Sequence, residues 1–265
     1  MSYHQPPLRK VNVTRYVMPL REGGSLPAIT EADDGFLYVL KFSGAGQGVR
    51  ALIADLIGGE IARALGFKVP EIVLANLDSA FGRTEADEEI QELLRKSEGV
   101  NLGIHYLAGA ISFDAAVVTI DPLMASKIVW LDALLTNVDR TARNTNMLMW
   151  KKELWLIDHG AALYFHHGGG DWKEQAIRPF VPIKDHVLLS IAGEIDIVDT
   201  IFKTLLTKER IQAVMELIPD KWLAENTFNA TAAEMKNIYV QFLTLRIQYS
   251  SIFIKEAQHA RASLI

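Results

Sequence analysis

The stretch NVDRTARNTNMLMWKKELWLIDHG, residues 137–160, decides how this chain is read. Asp139 and Asn144 stand five positions apart, enough for one tight loop in which the first residue faces a reacting hydroxyl and the second turns back toward a metal. Between Asn144 and Asp158, MLMW and ELWLI read as two short strands joined by a polar turn at Lys151 and Lys152. A hairpin returns the chain to its starting point. Asp158 is therefore expected near Asn144, where a carboxylate oxygen and an amide oxygen can share one Mg²⁺, a hard cation that takes oxygen ligands and phosphates. Gly160 leaves the backbone free to turn after that ligand.

Working outward, FLYVLKF at residues 36–42 is a β-branched and aromatic run of strand length, and a period of two puts Leu37, Val39 and Lys41 on one face. A lysine on an apolar strand face is costly unless its ammonium finds an anion. Upstream, Gly23, Gly24 and Ser25 in MPLREGGSLPAI are candidates for backbone approach to phosphates, although the run is neither G-x-G-x-x-G nor a Walker A sequence and a plain hairpin turn competes. Downstream, residues 51–65 read as a helix stopped by Gly66, with Pro70 beyond. Two acids of this helix compete as the partner of Lys41. Asp55 falls among the small residues Ala51, Gly58, Gly59 and Ala62, and Glu60 within the arc of Leu52, Ile53, Ile57 and Ile61. Wheel position alone leaves both open.

The order D-x-x-x-x-N followed by Asp158-His159-Gly160 resembles the catalytic loop and DFG segment of the protein kinase-like fold. The histidine of H-R-D is absent and an arginine follows the aspartate, giving Asp139-Arg140, which is similar to phosphoinositide kinases and to the HipA-like kinases of bacteria. LGFKVP at residues 65–70 resembles the L-G-x-x-V-P segment of HipA-like kinases, and counting back from it puts their acidic residue at Asp55. An Asp here is one methylene shorter than the usual Glu. The resemblance spans roughly residues 15–190.

It implies an α+β, bilobal protein kinase-like fold with a β-rich N-lobe at residues 1–108 and a mostly helical C-lobe at residues 109–265. It also implies an ATP- and Mg²⁺-dependent phosphotransferase of Ser/Thr protein kinase type. Asp139 orients the acceptor hydroxyl or takes its proton, Asn144 and Asp158 hold Mg²⁺, and Lys41, paired with Asp55, fixes the phosphates. Gly23, Gly24 and Ser25 would cover the phosphates, Val39 would pack on adenine, and Ile104, His105, Tyr106 and Leu107 would form the adenine hinge. The acceptor is left unassigned. A small-molecule or lipid kinase stands as an alternative because of Asp139-Arg140, and a nucleotide-binding pseudokinase because of the irregular glycine stretch and the Asp in place of Glu. HipA is the toxin of a toxin–antitoxin pair, but this chain is too short for that protein's extra N-terminal subdomain, so an antitoxin-type partner is not implied.

Composition agrees. With 265 residues, 49% of them hydrophobic and 22% charged, the chain can bury a sizeable core. The absence of cysteine excludes disulfides and thiolate chemistry, and with no signal-like or membrane-spanning apolar run the expected location is the cytoplasm. A net charge of −5 argues against general nucleic-acid binding, leaving at most a local patch such as Arg140 and Arg143. EIVLANLD reads as a strand, residues 83–98 as a solvated helix or insertion, and the chain from Asp121 onward as mostly helical. Strands first and helices later indicate α+β. His166-His167 before three glycines lacks partners at ligand spacing and is expected to be a loop. Asp185-His186 reads as a helix start, His159 as a packing residue, and Lys173 and Arg178 as facing water in a substrate-binding segment at residues 161–182.

Overall fold

The computed structural model describes residues 6–20, 26–46, 48–81 and 87–264, so Gly23, Gly24 and Ser25 lie outside the described residues. The first part of the chain runs β1 (Lys10–Pro19), β2 (Ala28–Ala32), β3 (Leu37–Lys41), α1 (Gly48–Ala64), β4 (Ile72–Leu77), α2 (Glu88–Lys96) and β5 (Gly99–His105). The five strands close into a barrel in the order β1-β2-β3-β5-β4, antiparallel throughout except where β1 runs parallel to β4. Alternation of side chains across the pleat explains its interior. On β3, Tyr38 and Leu40 point into a small core with Val11, Val13, Val73, Ala75 and Leu77, closed by Leu94 of α2. Val39 and Lys41 consequently point the other way, into a large cavity.

The second part adds β6 (Ile111–Ser112), α3 (Pro122–Leu135), β7 (Met147–Trp150), β8 (Glu153–Leu156), α4 (Phe165–Gly168), α5 (Trp172–Ala176), α6 (Ile195–Leu205), α7 (Lys208–Met215), α8 (Ala232–Gln248) and α9 (Ser251–Ala262). β7 and β8 form the expected hairpin, with Lys151 and Lys152 at φ 50° and 66° in its turn, and β6 adds a third strand beside β7 that the sequence reading did not foresee. α3 is apolar almost all round because it is the central buried helix. Asp121 caps its first turn, accepting from the Met124 N–H, with Pro122 at the first helical position. Trp130 of α3 packs edge-on against Phe202 of α6 and Phe253 of α9 and donates its indole N–H to Asp199 at 2.9 Å.

α1 lies between the two parts. It starts three residues earlier than expected and stops where expected, with Gly66 at φ +88° and the Phe67 N–H returning to the Ala62 carbonyl. Its apolar residues belong to the same core as α3 rather than to the barrel interior. The acid at Glu60 is buried and pairs with Arg63, whose guanidinium also donates to the carbonyls of Val69 and Pro70 at 2.9 Å each. Glu60 thus serves the end of its own helix.

Candidate functional site

β3 carries Lys41 to the wall of a cavity of about 1590 Å³. The Lys41 ammonium sits 2.5 Å from an Asp55 oxygen and 2.7 Å from Asp158 Oδ1. Burial acts to lower its pKa, and the two carboxylates more than reverse this and hold it above the usual lysine value. Asp55 is sealed from solvent, and desolvation raises its carboxyl despite Lys41. The Asp158 side chain is 43% exposed to the cavity; burial raises it, but the charge of Lys41 overrides this and keeps it below the ordinary carboxylate range.

The small-residue face of α1 explains how Asp55 and Asp158 meet on one lysine. A Cβ on Gly58 would lie 2.7 Å from His159 Cγ, too close for any side chain there. Without a side chain at Gly58, His159 packs against the helix, and the His159 N–H donates to Asp55 Oδ1 at 2.7 Å. His159 is fully enclosed there, and burial drops its pKa to about 3, so its ring is neutral. Asp158 itself adopts φ +50°, a left-handed conformation that aspartate tolerates better than most residues and that concentrates at functional sites.

Across the cavity, the loop after α3 presents Asp139 and Asn144, both lining the same space as Lys41 and Asp158. Asp139 Oδ2 accepts from Asn144 Nδ2 at 2.7 Å and from Asn146 Nδ2 at 3.2 Å. That pairing engages the Asn144 amide nitrogen and leaves its Oδ1 without a protein donor among the described residues. Among the described residues, Asp158 engages protein donors through Oδ1, with Lys41 at 2.7 Å and the Gly160 N–H at 3.3 Å. One amide oxygen and one carboxylate oxygen are thereby left for a hard cation. Among the described residues no three His, Asp or Glu side chains form a metal cluster. This donor set suits Mg²⁺, which keeps waters and binds through one or two protein oxygens plus phosphates.

Val39, Ile104, His105, Tyr106 and Leu107 line the same cavity. The His105 N–H donates to the Glu71 carbonyl at 2.8 Å and the Tyr106 N–H to the Leu37 carbonyl at 2.9 Å, whereas the Leu107 N–H has no partner among the described residues.

The HipA-like kinase family matches residues 13–251 of this chain. The chain belongs to that family. Its fold is similar to that of a Helicobacter pylori proinflammatory kinase, CtkA, with a TM-score of 0.54 at 14% identity over 97% of this chain and 99% of that one. The Golgi casein kinase, in a structure with Mn and ADP bound, is similar at a TM-score of 0.41 and 11% identity over 93% of this chain and 74% of that one, a likeness too loose to carry an argument. No curated protein matches the sequence. Family and fold together make the chain a phosphotransferase of kinase type.

In this HipA-like kinase the loop carrying Asp139 and Asn144 is held from beneath by a buried network that the sequence reading missed. Asp132 of α3 accepts from Arg140 Nε at 2.6 Å and Asn137 Nδ2 at 2.9 Å, and bonds His186 Nε2 at 2.9 Å. Burial pushes the Asp132 carboxyl up, and Arg140 and His186 hold it far below its ordinary value. Arg140 also donates to the carbonyls of Thr145 and Asn146. The basic patch that the composition left open at Arg140 and Arg143 is not formed, because Arg140 is fully buried in this pair. His186 starts no helix; it follows a 3-10 turn at Val181–Asp185. His166 is buried in α4 rather than in a loop, bonded through Nδ1 to the Tyr239 hydroxyl at 2.8 Å. Arg246 of α8 donates to the carbonyls of Ala133 and Leu134 at 2.6 and 2.8 Å, satisfying the end of α3 just before the active loop. The available signal was Asp132 itself, a lone acid within the apolar run WLDALL, which only a buried partner makes affordable.

Proposed function

We propose that this chain is an ATP- and Mg²⁺-dependent kinase transferring the γ-phosphoryl group to an acceptor hydroxyl, with residues 1–108 and 109–265 acting as two lobes around the cavity. The observation that carries the reading is Lys41 bridging Asp55 and Asp158 on the wall of a cavity that Asp139 and Asn144 also line. At about 1590 Å³ the cavity exceeds the roughly 300–1,000 Å³ of a site for one small ligand, which leaves room for a nucleotide and the acceptor group together.

Adenine packs against Val39 and takes the unpartnered Leu107 N–H, and Lys41 holds the phosphates. Asn144 and Asp158 would hold Mg²⁺, which would supply charge neutralisation at the phosphate oxygens. Asp139 Oδ2 is fixed by two amide donors, so Oδ1 receives the acceptor proton. The acceptor oxygen forms a bond to the γ-phosphorus while the bond to the bridging oxygen breaks, and that electron pair leaves on ADP. Rate enhancement in such a reaction comes mainly from positioning and charge neutralisation.

The test is incubation with γ-labelled ATP and Mg²⁺ beside Asp139→Ala and Asp158→Ala, following release and transfer of label to protein serine or threonine, sugars and inositol lipids. Loss of turnover by about a hundredfold or more in both variants is expected. Either variant retaining most of the activity would sink the assignment. Transfer to sugars or inositol lipids but to no protein would place the acceptor in the small-molecule class.

A further inference from the structure

We propose that Asn146 fixes Asp139 for the acceptor hydroxyl as a positioning residue, an inference that rests on the kinase reading given above. Two amides meet Asp139 Oδ2: Asn144 Nδ2 at 2.7 Å and Asn146 Nδ2 at 3.2 Å. Their situations differ. Asn144 is exposed in the turn after Asp139 and is the amide assigned to the metal. Asn146 is 8% exposed and directly precedes β7. The Asp139 carbonyl oxygen lies 3.5 Å from the same Nδ2, the outer limit of a hydrogen bond. A carbonyl and a carboxylate oxygen only accept, so the NH₂ end of the Asn146 amide must face them.

The Asn146 backbone is pinned from two sides. Its carbonyl accepts from the Ile157 N–H at 3.1 Å and from Arg140 Nη1, and Arg140 is itself fully buried against Asp132. Ile157 directly precedes Asp158, so this carbonyl ties the two ends of the hairpin together beside the site. The residue adopts φ +48°, a left-handed conformation that asparagine enters more readily than most residues with a Cβ. The position asks for asparagine on two counts. Glycine would accept the backbone but offer no donor, and aspartate would accept it but set oxygen against oxygen. With Oδ2 held by a buried, pinned donor that stands outside the metal pair, the Asp139 carboxylate keeps its orientation when Asn144 turns toward the metal. Oδ1 therefore stays toward the acceptor, and placing a reacting group to within an ångström is worth about a hundredfold in rate.

The test follows label transfer from γ-labelled ATP with Mg²⁺ to the protein, sugar and inositol-lipid acceptors named above, for wild type, Asn146→Gly, Asn146→Asp and Asn146→Ala. Titration with Mg²⁺ plus ADP and urea unfolding run beside it. Asn146→Gly keeps the left-handed backbone and deletes the donor. It is expected to lower kcat about tenfold to a hundredfold, with the ATP KM, the Mg²⁺ needed for half-maximal rate and ADP binding within about twofold of wild type. Asn146→Asp falls at least as far, and Asn146→Ala matches Asn146→Gly in kcat but unfolds at lower urea. Wild-type kcat in Asn146→Gly would overturn the inference. So would a loss in Asn146→Ala that Asn146→Gly restores, which would make the backbone alone the requirement. A raised Mg²⁺ requirement with unchanged kcat would make Asn146 a metal ligand and overturn it equally. Wild type that transfers label to none of these acceptors would overturn the kinase reading and this inference with it.

Discussion

Asp55→Ala and Asp55→Asn separate stability from catalysis at the centre of the site. Asp55 holds two groups: the Lys41 ammonium at 2.5 Å and the His159 N–H at 2.7 Å. Removing its carboxylate does not strand the lysine, because Asp158 Oδ1 remains 2.7 Å away. The cost of about 3–5 kcal/mol for an uncompensated buried charge therefore does not apply. What is lost is the acceptor of one buried N–H, about 1–3 kcal/mol. Asp55→Ala is expected in that range. Asp55→Asn keeps an oxygen for the His159 N–H and is expected to cost about 1 kcal/mol or less. Both variants free Lys41 to turn wholly onto Asp158, the carboxylate assigned to the metal, so initial rates of label transfer should fall about a hundredfold while urea unfolding at pH 7 stays near wild type for Asp55→Asn. An Asp55→Ala loss above about 4 kcal/mol, or wild-type turnover in Asp55→Asn, would refute the reasoning.

Asp132→Ala is the contrasting case: it leaves the Arg140 guanidinium fully buried without its carboxylate, and urea unfolding should show a loss of about 3–5 kcal/mol, with Asp132→Asn costing less; equal, small losses would refute it. Acidification should act through His159 and His166, whose pKa values burial drops to about 3. The unfolded histidines titrate near ~6.5, so between about pH 6.5 and 3 the unfolded chain binds protons that the folded chain does not. Stability is then fully present above about pH 6.5 and declines by about 1.4 kcal/mol per pH unit for each histidine as the pH falls. His166→Gln should flatten the unfolding free energy measured between about pH 6 and 5 by that amount, and an unchanged slope would refute the assignment.

The meeting of Asp139, Asn144 and Asp158 on one cavity was legible because the hairpin before Asp158 is local, MLMW and ELWL pairing across Lys151 and Lys152, whereas the addition of β6 beside β7 was not. Alternation along β3 likewise showed which face carries Val39 and Lys41. The ring closure of β1 beside β4, residues some sixty positions apart, was not legible, since pairing between distant strands leaves no local periodic mark. Helix periodicity left Asp55 and Glu60 as equals, and only the resemblance to HipA-like kinases favoured Asp55.

What the sequence determined by itself is which groups are candidates for phosphoryl chemistry and the faces that carry them, because those follow from short-range geometry. What only the tertiary structure decided is the company each charge keeps. Asp55 meets the His159 N–H across 104 positions because Gly58 lets His159 pack against the helix. Arg140 vanishes into a pair with Asp132 while Arg143, three residues later, is left in the cavity without a counter-ion among the described residues. A charge finds its partner through space, and the packing of α1 and α3 against the active loop sets which charges are neutralised in the core and which are left to meet a ligand.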